Sequence, residues 1–353
     1  MNPKFWAGKK VLITGHTGFK GSWLSLWLQL LGANLTGLAL KPPTKPNMFE
    51  LANIGEGMNS HLVDIRDFNA LDKVVSEARA EIVIHMAAQP LVRYSYQNPV
   101  ETYATNVMGT VHLLEALRKN GGAKAVLNVT SDKCYENKEW VWGYREDEHM
   151  GGFDPYSNSK GCAELVTSAY RRSFFQENGI GLASARAGNV IGGGDWAQDR
   201  LIPDVLKSFQ SCKPVVIRSP AATRPWQHVL EPLSGYLTLA EALWNDQSKF
   251  AEAWNFGPKE EDAKPVSWIV DHMVNLWGEG ASWSLDHRQQ PHEAHFLKLD
   301  TSKSRGALSW APRWGIHEAL DKTIAWHKAW LSCENLKEFS NQQINEYSAS
   351  IST

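Results

Sequence analysis

The sequence predicts an α/β protein with a doubly wound parallel sheet and a smaller, mixed α/β lobe. Over the first half of the chain, short apolar runs alternate with segments of helical periodicity, as in repeated βαβ units. After residue 186 this alternation stops, and prolines and a run of glycines interrupt the chain. The first pattern indicates the sheet, and the second indicates the lobe.

The individual elements follow from the periodicity in each segment. The predicted strands are short and rich in branched apolar residues, as in a parallel sheet that is buried on both faces. They are Val11–Thr14, Leu35–Leu40, His61–Val63, Ile82–Met86, Ala125–Val129 and Leu182–Arg186. The segments between them with a helical period predict the helices Phe19–Leu31, Phe68–Arg79, Glu101–Lys119 and Tyr156–Gln176.

Composition excludes several classes of function. The chain has 353 residues and a formal net charge of -2, which gives no electrostatic case for nucleic acid or an anionic membrane as the main partner. The four cysteines form no CxxC motif and no metal-ligand spacing, so no metal site is predicted and reduced, cytoplasmic thiols are expected. The polar N-terminus has no signal-peptide layout, and polar residues interrupt the longest apolar run.

A glycine-rich turn after the first predicted strand indicates a dinucleotide site. In a strand–turn–helix context, such glycines permit a tight turn and close approach of a pyrophosphate to the helix N-terminus. The turn therefore predicts a Rossmann-type domain. The candidate cofactor-binding residues in it are Gly15, Thr17, Gly18, Phe19 and Gly21.

Three later segments are expected to complete the cofactor site. Asp64-Ile65 follows the third strand and is placed for an adenine contact; the alternative is a solvated Asp64 and a helix cap by Asp67. Ala87-Ala88-Gln89 follows the fourth strand and offers small residues beside which a cofactor can pass. Asn106 lies within a predicted helix, where Asn is unfavourable, so a packing or hydrogen-bonding role is expected.

The end of the second predicted strand lacks the carboxylate that usually binds the adenosine ribose. Leu40-Lys41-Pro42 occupies this region. Lys41 is either a ligand for a 2′-phosphate or a solvated loop residue, so this feature leaves the choice between NAD and NADP open.

Tyr156, Lys160 and Ser131 are the residues needed to oxidise an alcohol with a nicotinamide cofactor. Tyr156 and Lys160 stand one helical turn apart and share a face. The ammonium is expected to lower the pKa of the phenol, so that the phenolate can take a proton from a substrate hydroxyl. Lys160 is also expected to bind the nicotinamide ribose, and Ser131 to bind the same substrate hydroxyl as Tyr156.

Asp132 and Lys133 follow Ser131 directly and are surplus to simple alcohol oxidation. Ligands bind at the carboxyl ends of parallel strands, which favours a functional role over a solvated strand end. An acid and a base at this place can expel water from an oxidised intermediate. We assign Lys133 as base and Asp132 as acid, which requires one pKa to be lowered and the other raised. The alternative is a proton exchanged between the two.

The change of pattern also predicts the domain organisation. Residues 1–186 and about 229–257 are expected to form the dinucleotide-binding domain, the second segment returning a helix and a strand to the main sheet. About 187–228 and 258–340 are expected to form a substrate-binding lobe. The Ser-, Asn- and Gln-rich tail 341–353 is expected to fray.

Together these residues resemble the extended short-chain dehydrogenase/reductase family, and within it the nucleotide-sugar 4,6-dehydratases. The resemblance covers nearly the whole chain. Its motifs are the glycine turn, Asp64-Ile65, Ala87-Ala88, Asn106–Thr110, Ser131-Asp132-Lys133, Tyr156–Lys160, Arg186–Val190, Asp199–Pro203 and Arg224-Pro225-Trp226.

Lys133, Cys134–Asn137 and Gly192–Trp196 resemble the branch of this family that acts on CDP-glucose. That resemblance implies CDP-glucose as substrate, NAD as cofactor and CDP-4-dehydro-6-deoxy-glucose as product. It places the reaction at the start of 3,6-dideoxyhexose synthesis for bacterial O-antigen lipopolysaccharide. Related enzymes dimerise through helices of the cofactor domain, which implies a homodimer or homotetramer through Glu101–Lys119 and Tyr156–Gln176.

The resemblance also implies substrate-binding residues. Ser131 would hold the reacting hydroxyl, and guanidinium groups suit the oxygens of a pyrophosphate. A solvated surface position is the alternative for each arginine. The further candidates are Asn189, Arg200, Arg218, Arg224 and Arg288.

Other functions stay open on the sequence alone. A 4,6-dehydratase for a dTDP-, UDP- or GDP-sugar is one, although the UDP-N-acetylglucosamine enzymes commonly lack the tyrosine found here as Tyr156. A nucleotide-sugar 4-epimerase shares the Ser, Tyr and Lys but typically lacks a pair such as Asp132-Lys133. A non-catalytic, dinucleotide-sensing protein of the same fold would usually lose Tyr156 or Lys160.

Overall fold

The computed structural model describes residues 2–286 and 297–350. The strands within these ranges are β1 (Lys10–Thr14), β2 (Asn34–Ala39), β3 (Asn59–Leu62), β4 (Ile82–His85), β5 (Ala125–Val129), β6 (Gly181–Ala187), β7 (Val190–Ile191), β8 (Val215–Ile217), β9 (Thr223–Pro225), β10 (Gln227–His228), β11 (Ala253–Phe256), β12 (Ala263–Pro265) and β13 (Trp283–Leu285).

The α-helices are α1 (Pro3–Trp6), α2 (Phe19–Leu30), α3 (Met48–Leu51), α4 (Phe68–Ala78), α5 (Val92–Gln97), α6 (Pro99–Tyr103), α7 (Gly109–Asn120), α8 (Pro155–Tyr170), α9 (Leu201–Gln210), α10 (Leu230–Asn245), α11 (Gln247–Phe250), α12 (Val266–Trp277), α13 (Ser302–Leu308), α14 (Ile316–Leu331) and α15 (Leu336–Ala349). Single π-helical turns, Ala104–Met108 and Arg171–Phe175, extend α6 and α8. In the described part of the chain, no helix combines the length and the apolar composition that crossing a bilayer requires.

The central sheet has seven parallel strands in the order β11-β6-β5-β4-β1-β2-β3. Six are the strands predicted from the sequence. The seventh, β11, pairs with β6 as expected for the segment that returns to the sheet. The winding direction reverses between β1 and β4, so a crevice opens at the carboxyl ends of these strands. The predicted doubly wound α/β fold is confirmed.

Helices cover both faces of the sheet. On one face Leu71 of α4 and Leu113 of α7 pack against Val83 and Val126 of the sheet. On the other face, Trp23 of α2 and helix α10 form part of a larger core with the opposite side chains of the same strands. Burial on both faces explains why β4 and β5 are apolar along their length.

A separate apolar cluster builds the smaller lobe. It combines α9, β8, α12 and α14 through residues such as Ile202, Phe209, Ile217, Ile269 and Leu320. Short two-stranded pairings, β8 with β13 and β9 with β12, complete this mixed lobe.

The C-terminal segment differs from expectation. Leu320 packs in the lobe as expected for this segment, but Trp310, Trp326 and Leu336 pack in the core of the main sheet. The expected fraying of the tail is wrong over residues 341–349, which continue α15. Tyr347 is fully buried, and its hydroxyl donates to Glu231 Oε2 at 2.7 Å. A few buried side chains dock this polar helix on the rest of the protein, and the composition of the tail does not predict that docking.

Glu231 is expected to make stability depend on pH. Its buried carboxyl accepts hydrogen bonds from the backbone N–H groups of Arg313 and Trp314 at 3.0 and 2.7 Å. Burial raises the pKa of Glu231 from 4.5 to about 7, so the folded state holds this proton more tightly than the unfolded chain. The stabilisation is therefore fully present below the unfolded pKa and is lost as pH rises through the folded pKa.

Because glutamine does not ionise, the melting temperature of Glu231→Gln should fall less between pH 5 and pH 8 than that of the wild type. Thermal unfolding at constant ionic strength measures the difference. Glu177→Gln, at an exposed position, is the control and should follow the wild type. Parallel curves for Glu231→Gln and the wild type would contradict this role of Glu231.

Candidate active site

The turn Gly15–Gly21 lies at the carboxyl end of β1 and fits a dinucleotide. Gly15 has a φ of 79°, and a Cβ there would stand 2.8 Å from the Ala87 nitrogen. A Cβ at Gly21 would collide with the Gly15 oxygen. Among the described residues, no side chain caps α2 at Gly18, so its first N–H groups are open to an anion.

The adenosine side of the turn is held by local bonds. Thr17 Oγ1 donates to the Leu40 oxygen at 2.8 Å and ties the turn to the end of β2. The Asp64 carboxylate accepts from Arg66 Nη2 at 2.6 Å, and this bond holds the pKa of Asp64 below its usual value. Asp67 caps α4, as the alternative interpretation expects. The adenine contact of Asp64 stays a prediction.

Asn106 has the hydrogen-bonding role expected of it. It lies in the π-helical turn between α6 and α7. Its Oδ1 accepts from Gln89 N at 2.8 Å, and its Nδ2 donates to Gln89 O at 3.1 Å and to Ser159 Oγ at 2.8 Å. These bonds hold the Ala87-Ala88-Gln89 segment against α8. Ile65 also lies at this edge and packs against Gly109. A Cβ added at Gly109 would stand only 2.8 Å from Ile65 Cγ2.

The predicted catalytic residues converge at the carboxyl end of β5. Ser131 Oγ donates to Asp132 Oδ1 at 3.0 Å and accepts from Lys133 N at 3.2 Å. The Ser131 hydroxyl is also near enough to the Tyr156 phenol to act on its pKa. On the same face of α8, Lys160 Nζ donates to the Val129 oxygen at 3.3 Å. Lys133 is half-buried and the other four are buried.

Burial dominates the electrostatics of Tyr156 and Lys160. The sequence predicts a phenol whose pKa is lowered by Lys160; instead, burial raises the pKa of Tyr156 to about 12. The Ser131 hydroxyl and the Arg200 charge act in the opposite direction without overcoming it. Burial lowers the pKa of Lys160 to about 8, against the attraction of Glu164. Activation of Tyr156 therefore needs more positive charge than the protein supplies alone.

Asp132 is suited to act as an acid. Burial raises the pKa of its carboxyl, although the Lys133 charge and the Ser131 bond oppose the shift. Gly188 lies so close to this carboxyl that an added Cβ would stand only 2.8 Å from Asp132 Oδ2. Cys134, next along the turn, is fully buried, and burial raises the pKa of its thiol, which fits a packing residue.

A buried ion pair stands behind this catalytic turn. Glu164 follows Lys160 by one helical turn and accepts from Arg186 Nη2 at 2.8 Å and from the Thr130 hydroxyl. Burial alone would raise the pKa of Glu164, but Arg186 and the hydrogen bonds lower it overall. Arg186 Nη1 also donates to the Tyr135 hydroxyl at 2.6 Å. The pair thus contacts the chain on both sides of Ser131-Asp132-Lys133.

The predicted substrate-binding residues are distributed over the lobe. Arg200 pairs with Asp195 at 2.9 Å. Arg224 lies close enough to Asp132 to oppose the rise in the pKa of that carboxyl. Asn189 is half-buried between β6 and β7, and Arg288 lies outside the described residues.

Arg93 was not predicted from the sequence. It is the second residue of α5, shortly after the Ala87-Ala88-Gln89 segment, and pairs with Asp199 at 3.6 Å. Arg218 pairs with the same Asp199 oxygen at 3.3 Å. Two arginines, one from each side of the crevice, therefore meet on one carboxylate. The only sequence feature that could have pointed to Arg93 is its place shortly after the predicted cofactor segment Ala87-Ala88-Gln89.

The strand order, the glycine turn and the Ser131, Tyr156 and Lys160 constellation define an extended short-chain dehydrogenase/reductase. The chain belongs to the family described as GDP-mannose 4,6 dehydratase, whose model matches residues 12–323. It is 60% identical over 352 residues to CDP-glucose 4,6-dehydratase of Salmonella typhimurium strain LT2, covering 98% of each chain. It is 27% identical over 324 residues to a putative UDP-glucose 4-epimerase of Methanocaldococcus jannaschii, covering 90% of this chain and 98% of that one. The family membership predicted from the motifs is confirmed.

Solved structures share the fold at low identity. The UDP-glucose 4-epimerase of Thermotoga maritima, solved with UDP-glucose, matches with a TM-score of 0.79 at 21% identity, covering 91% of this chain and 99% of that one. The dTDP-glucose 4,6-dehydratase of Bacillus anthracis, solved with NAD, matches with a TM-score of 0.76 at 19% identity, covering 94% and 100%.

Proposed function

We propose that this protein removes water from CDP-glucose to give CDP-4-dehydro-6-deoxy-glucose, with NAD restored in every turnover. The observation that carries the proposal is the Asp132-Lys133 pair beside Ser131, Tyr156 and Lys160. The 60% identity to a CDP-glucose 4,6-dehydratase supports the choice of nucleotide. The reaction would begin the synthesis of 3,6-dideoxyhexoses for O-antigen.

The cofactor side of the site fits NAD through the glycine turn and the open end of α2. Bound NAD would supply the oxidant for C4 and later the reductant for C6. Residues 1–186 and 229–257 would hold it. The lobe, about 187–228 with 258–340, would hold CDP-glucose, and its last segment also packs on the core of the main sheet.

Ser131 and Tyr156 would act at the C4 hydroxyl. The Ser131 hydroxyl is near enough to the Tyr156 phenol to act on its pKa, so one substrate hydroxyl can contact both. Tyr156 takes the C4 hydroxyl proton as the ketone forms. Because the pKa of Tyr156 is about 12 and that of Lys160 about 8, Lys160 is mainly an ammonium at neutral pH and stabilises the developing phenolate.

Asp132 and Lys133 would then eliminate water. Lys133 takes the C5 proton, which the C4 ketone has made acidic. Asp132 is kept protonated by burial, which raises its pKa, and gives its proton to the departing C6 hydroxyl. A C5–C6 double bond forms and one water leaves. The product would form when the reduced cofactor returns its hydride to C6 and Lys133 returns a proton to C5. Asp132 would then regain a proton from solvent, to which Tyr156 releases the proton it took from the C4 hydroxyl.

The test is mass spectrometry of the purified protein in deuterated water with NAD and CDP-, dTDP-, UDP- and GDP-sugars. We expect loss of one water from CDP-glucose alone, deuterium at C5 and no net reduced cofactor. Accumulation of reduced cofactor would indicate a dehydrogenase, and an isomeric sugar an epimerase. No reaction with any of these sugar nucleotides would favour a non-catalytic dinucleotide sensor.

Lys133→Met is expected to oxidise C4 but to block exchange of the C5 proton with solvent. Methionine has a similar length and no amine, so the substrate stays bound while the base is missing. The deuterium content of the recovered sugar, measured with and without the variant, checks this. Full dehydration by Lys133→Met would assign the base to another residue.

Gly188→Ala is expected to lower kcat by about 10-fold or more, because small displacements at a reacting centre have large kinetic effects. The new Cβ would lie 2.8 Å from Asp132 Oδ2 and displace a carboxyl that Ser131 holds in place. Gly306→Ala is the matched control, because a Cβ there meets no atom within 4 Å among the described residues. Steady-state kinetics compare the variants, and an unchanged kcat in Gly188→Ala would contradict a fixed position for Asp132.

We also propose a cytoplasmic homodimer, or a homotetramer built from it, joined through α6–α8 and the π-helical turns that extend α6 and α8. Val100, Met108, Leu165 and Phe174 are apolar and exposed along these helices, at 82%, 47%, 61% and 39%. The four cysteines are unpaired, which is typical of a reducing compartment. Light scattering should give at least twice the chain mass, and a monomer would contradict the assembly.

A further inference from the structure

His85 is a buried histidine that ends β4, directly before the Ala87-Ala88-Gln89 segment. Only 3% of its side chain is exposed. Both ring nitrogens have a partner: Nδ1 lies 2.6 Å from Thr14 Oγ1, and Nε2 lies 3.1 Å from Thr110 Oγ1. Thr14 and Thr110 are also buried. The imidazole therefore joins the last residue of β1 to the first turn of α7.

The hydrogen bonds around the ring determine which nitrogen carries the proton. The Thr110 hydroxyl donates its single proton to the Asn106 oxygen at 2.7 Å, so it can only accept from His85 Nε2. Burial lowers the pKa of His85 to about 3, and the charge of Lys160 acts in the same direction. The ring is therefore neutral at physiological pH, with its proton on Nε2. Nδ1 is then an acceptor, and the Thr14 hydroxyl donates to it.

The orientation of the Thr14 hydroxyl determines what it can hold. Because its proton points to His85, its lone pairs face the chain after β4, where they accept from Met86 N and Ala87 N, both at 3.1 Å. Ala87 in turn packs tightly on the glycine turn, since a Cβ on Gly15 would stand 2.8 Å from Ala87 N. Loss of the acceptor at Nδ1 would let the Thr14 hydroxyl turn and would release the backbone of Ala87.

The other ring nitrogen connects His85 to the helix that carries Tyr156. From Thr110 the bonds continue to Asn106, whose Nδ2 donates to Ser159 Oγ at 2.8 Å. Ser159 Oγ donates to the Tyr156 backbone oxygen at 2.7 Å. Each hydroxyl and amide in this series has one direction in which it can donate. His85 thus lies within one buried network between the end of β1 and α8, and each of its nitrogens serves one side.

We propose that His85 is a positioning residue for the cofactor: its unprotonated Nδ1 fixes the Thr14 hydroxyl and, through it, the Ala87 backbone beside which NAD binds. The inference rests on the proposed function, which places NAD at this segment. His85 acts only through Thr14 and contacts neither cofactor nor substrate. A histidine that merely filled space would need only the volume of its ring, whereas this role needs an acceptor at the position of Nδ1.

Two amide variants separate the two nitrogens, and isothermal titration calorimetry of the full chain with NAD measures the effect. Asparagine can place its oxygen where Nδ1 lies, whereas the longer glutamine can place its nitrogen where Nε2 lies. His85→Gln should therefore bind NAD roughly 10-fold more weakly, the effect of a buried donor without its acceptor. His85→Asn should stay within about 3-fold of the wild type. His317→Gln, at an exposed position on α14, is the control and should match the wild type.

Variants of Thr14 give a second test that does not depend on the folding of the His85 variants. Thr14→Val removes the hydroxyl at nearly constant volume and should match His85→Gln, whereas Thr14→Ser keeps the hydroxyl and should stay near the wild type. Equal NAD affinities of His85→Gln and the wild type would overturn the proposal. Equal losses in both His85 variants, with equally lowered melting temperatures, would also overturn it, because they indicate packing alone. A wild type that binds NAD but leaves CDP-glucose unchanged would instead refute the proposed function.

Discussion

Tyr156→Phe is expected to lower the rate of dehydration by at least 10²- to 10⁴-fold, the usual contribution of a positioned acid–base group. The variant lacks the hydroxyl that lies near Ser131 and is proposed to take the C4 proton, while the aromatic ring keeps its buried position. Water loss from CDP-glucose, followed by mass spectrometry, measures the rate. The folding transition and NAD affinity should match the wild type.

Tyr103→Phe is the control for this loss. Tyr103 also contacts α8, where its hydroxyl donates to Asn158 Oδ1 at 2.9 Å, but it lies outside the proposed reaction centre. Its removal should leave the dehydration rate within a few-fold of the wild type. A Tyr156→Phe protein with an unchanged rate would contradict the proposed mechanism at its first step.

Arg186→Met is expected to lower the free energy of unfolding by about 3–5 kcal/mol, as for other buried ion pairs that lose one partner. The side chains of Arg186 and Glu164 are exposed by only 4% and 5%, so the remaining carboxylate is left in the core without its counter-charge. Activity should fall too, because Thr130 and Tyr135 lose the pair that holds them. Urea denaturation and steady-state kinetics measure the two effects.

The double variant Glu164→Gln/Arg186→Met should recover part of the lost stability, because it leaves no unpaired charge in the core. Lys73→Met breaks an exposed pair with Glu77 and should change the free energy of unfolding by about 0.5 kcal/mol or less. Equal stability of Arg186→Met and the wild type would show that the buried pair does not stabilise the fold.

The sequence predicts the sheet well because each strand is a local apolar run that can be identified without the rest of the fold. Apolar runs separated by helical segments indicate βαβ units, and the structure has β1–β6 within two residues of the predicted bounds. Since parallel strands end at one edge, the residues after β1, β4 and β5 had to meet there. The convergence of the glycine turn, Gln89 and Ser131 is a consequence of this topology.

Properties that depend on burial were less accessible from the sequence. Spacing places Lys160 beside Tyr156, but the pKa of Tyr156 rises to about 12 because the surrounding protein excludes water. The same limit applies to Glu231, whose carboxyl is enclosed by residues from the C-terminal part of the chain. Desolvation is the sum of many distant contacts, and no local pattern encodes it.

The sequence by itself determined which segments form the strands and helices of the main sheet, the glycine turn and the identity of the reacting side chains. Each of these depends on residues close together in the chain. Tertiary structure decided the pairing of both Arg93 and Arg218 with Asp199 and the docking of α15. These features join segments far apart in the chain, so their energies arise only when the fold brings charges and apolar surfaces into contact.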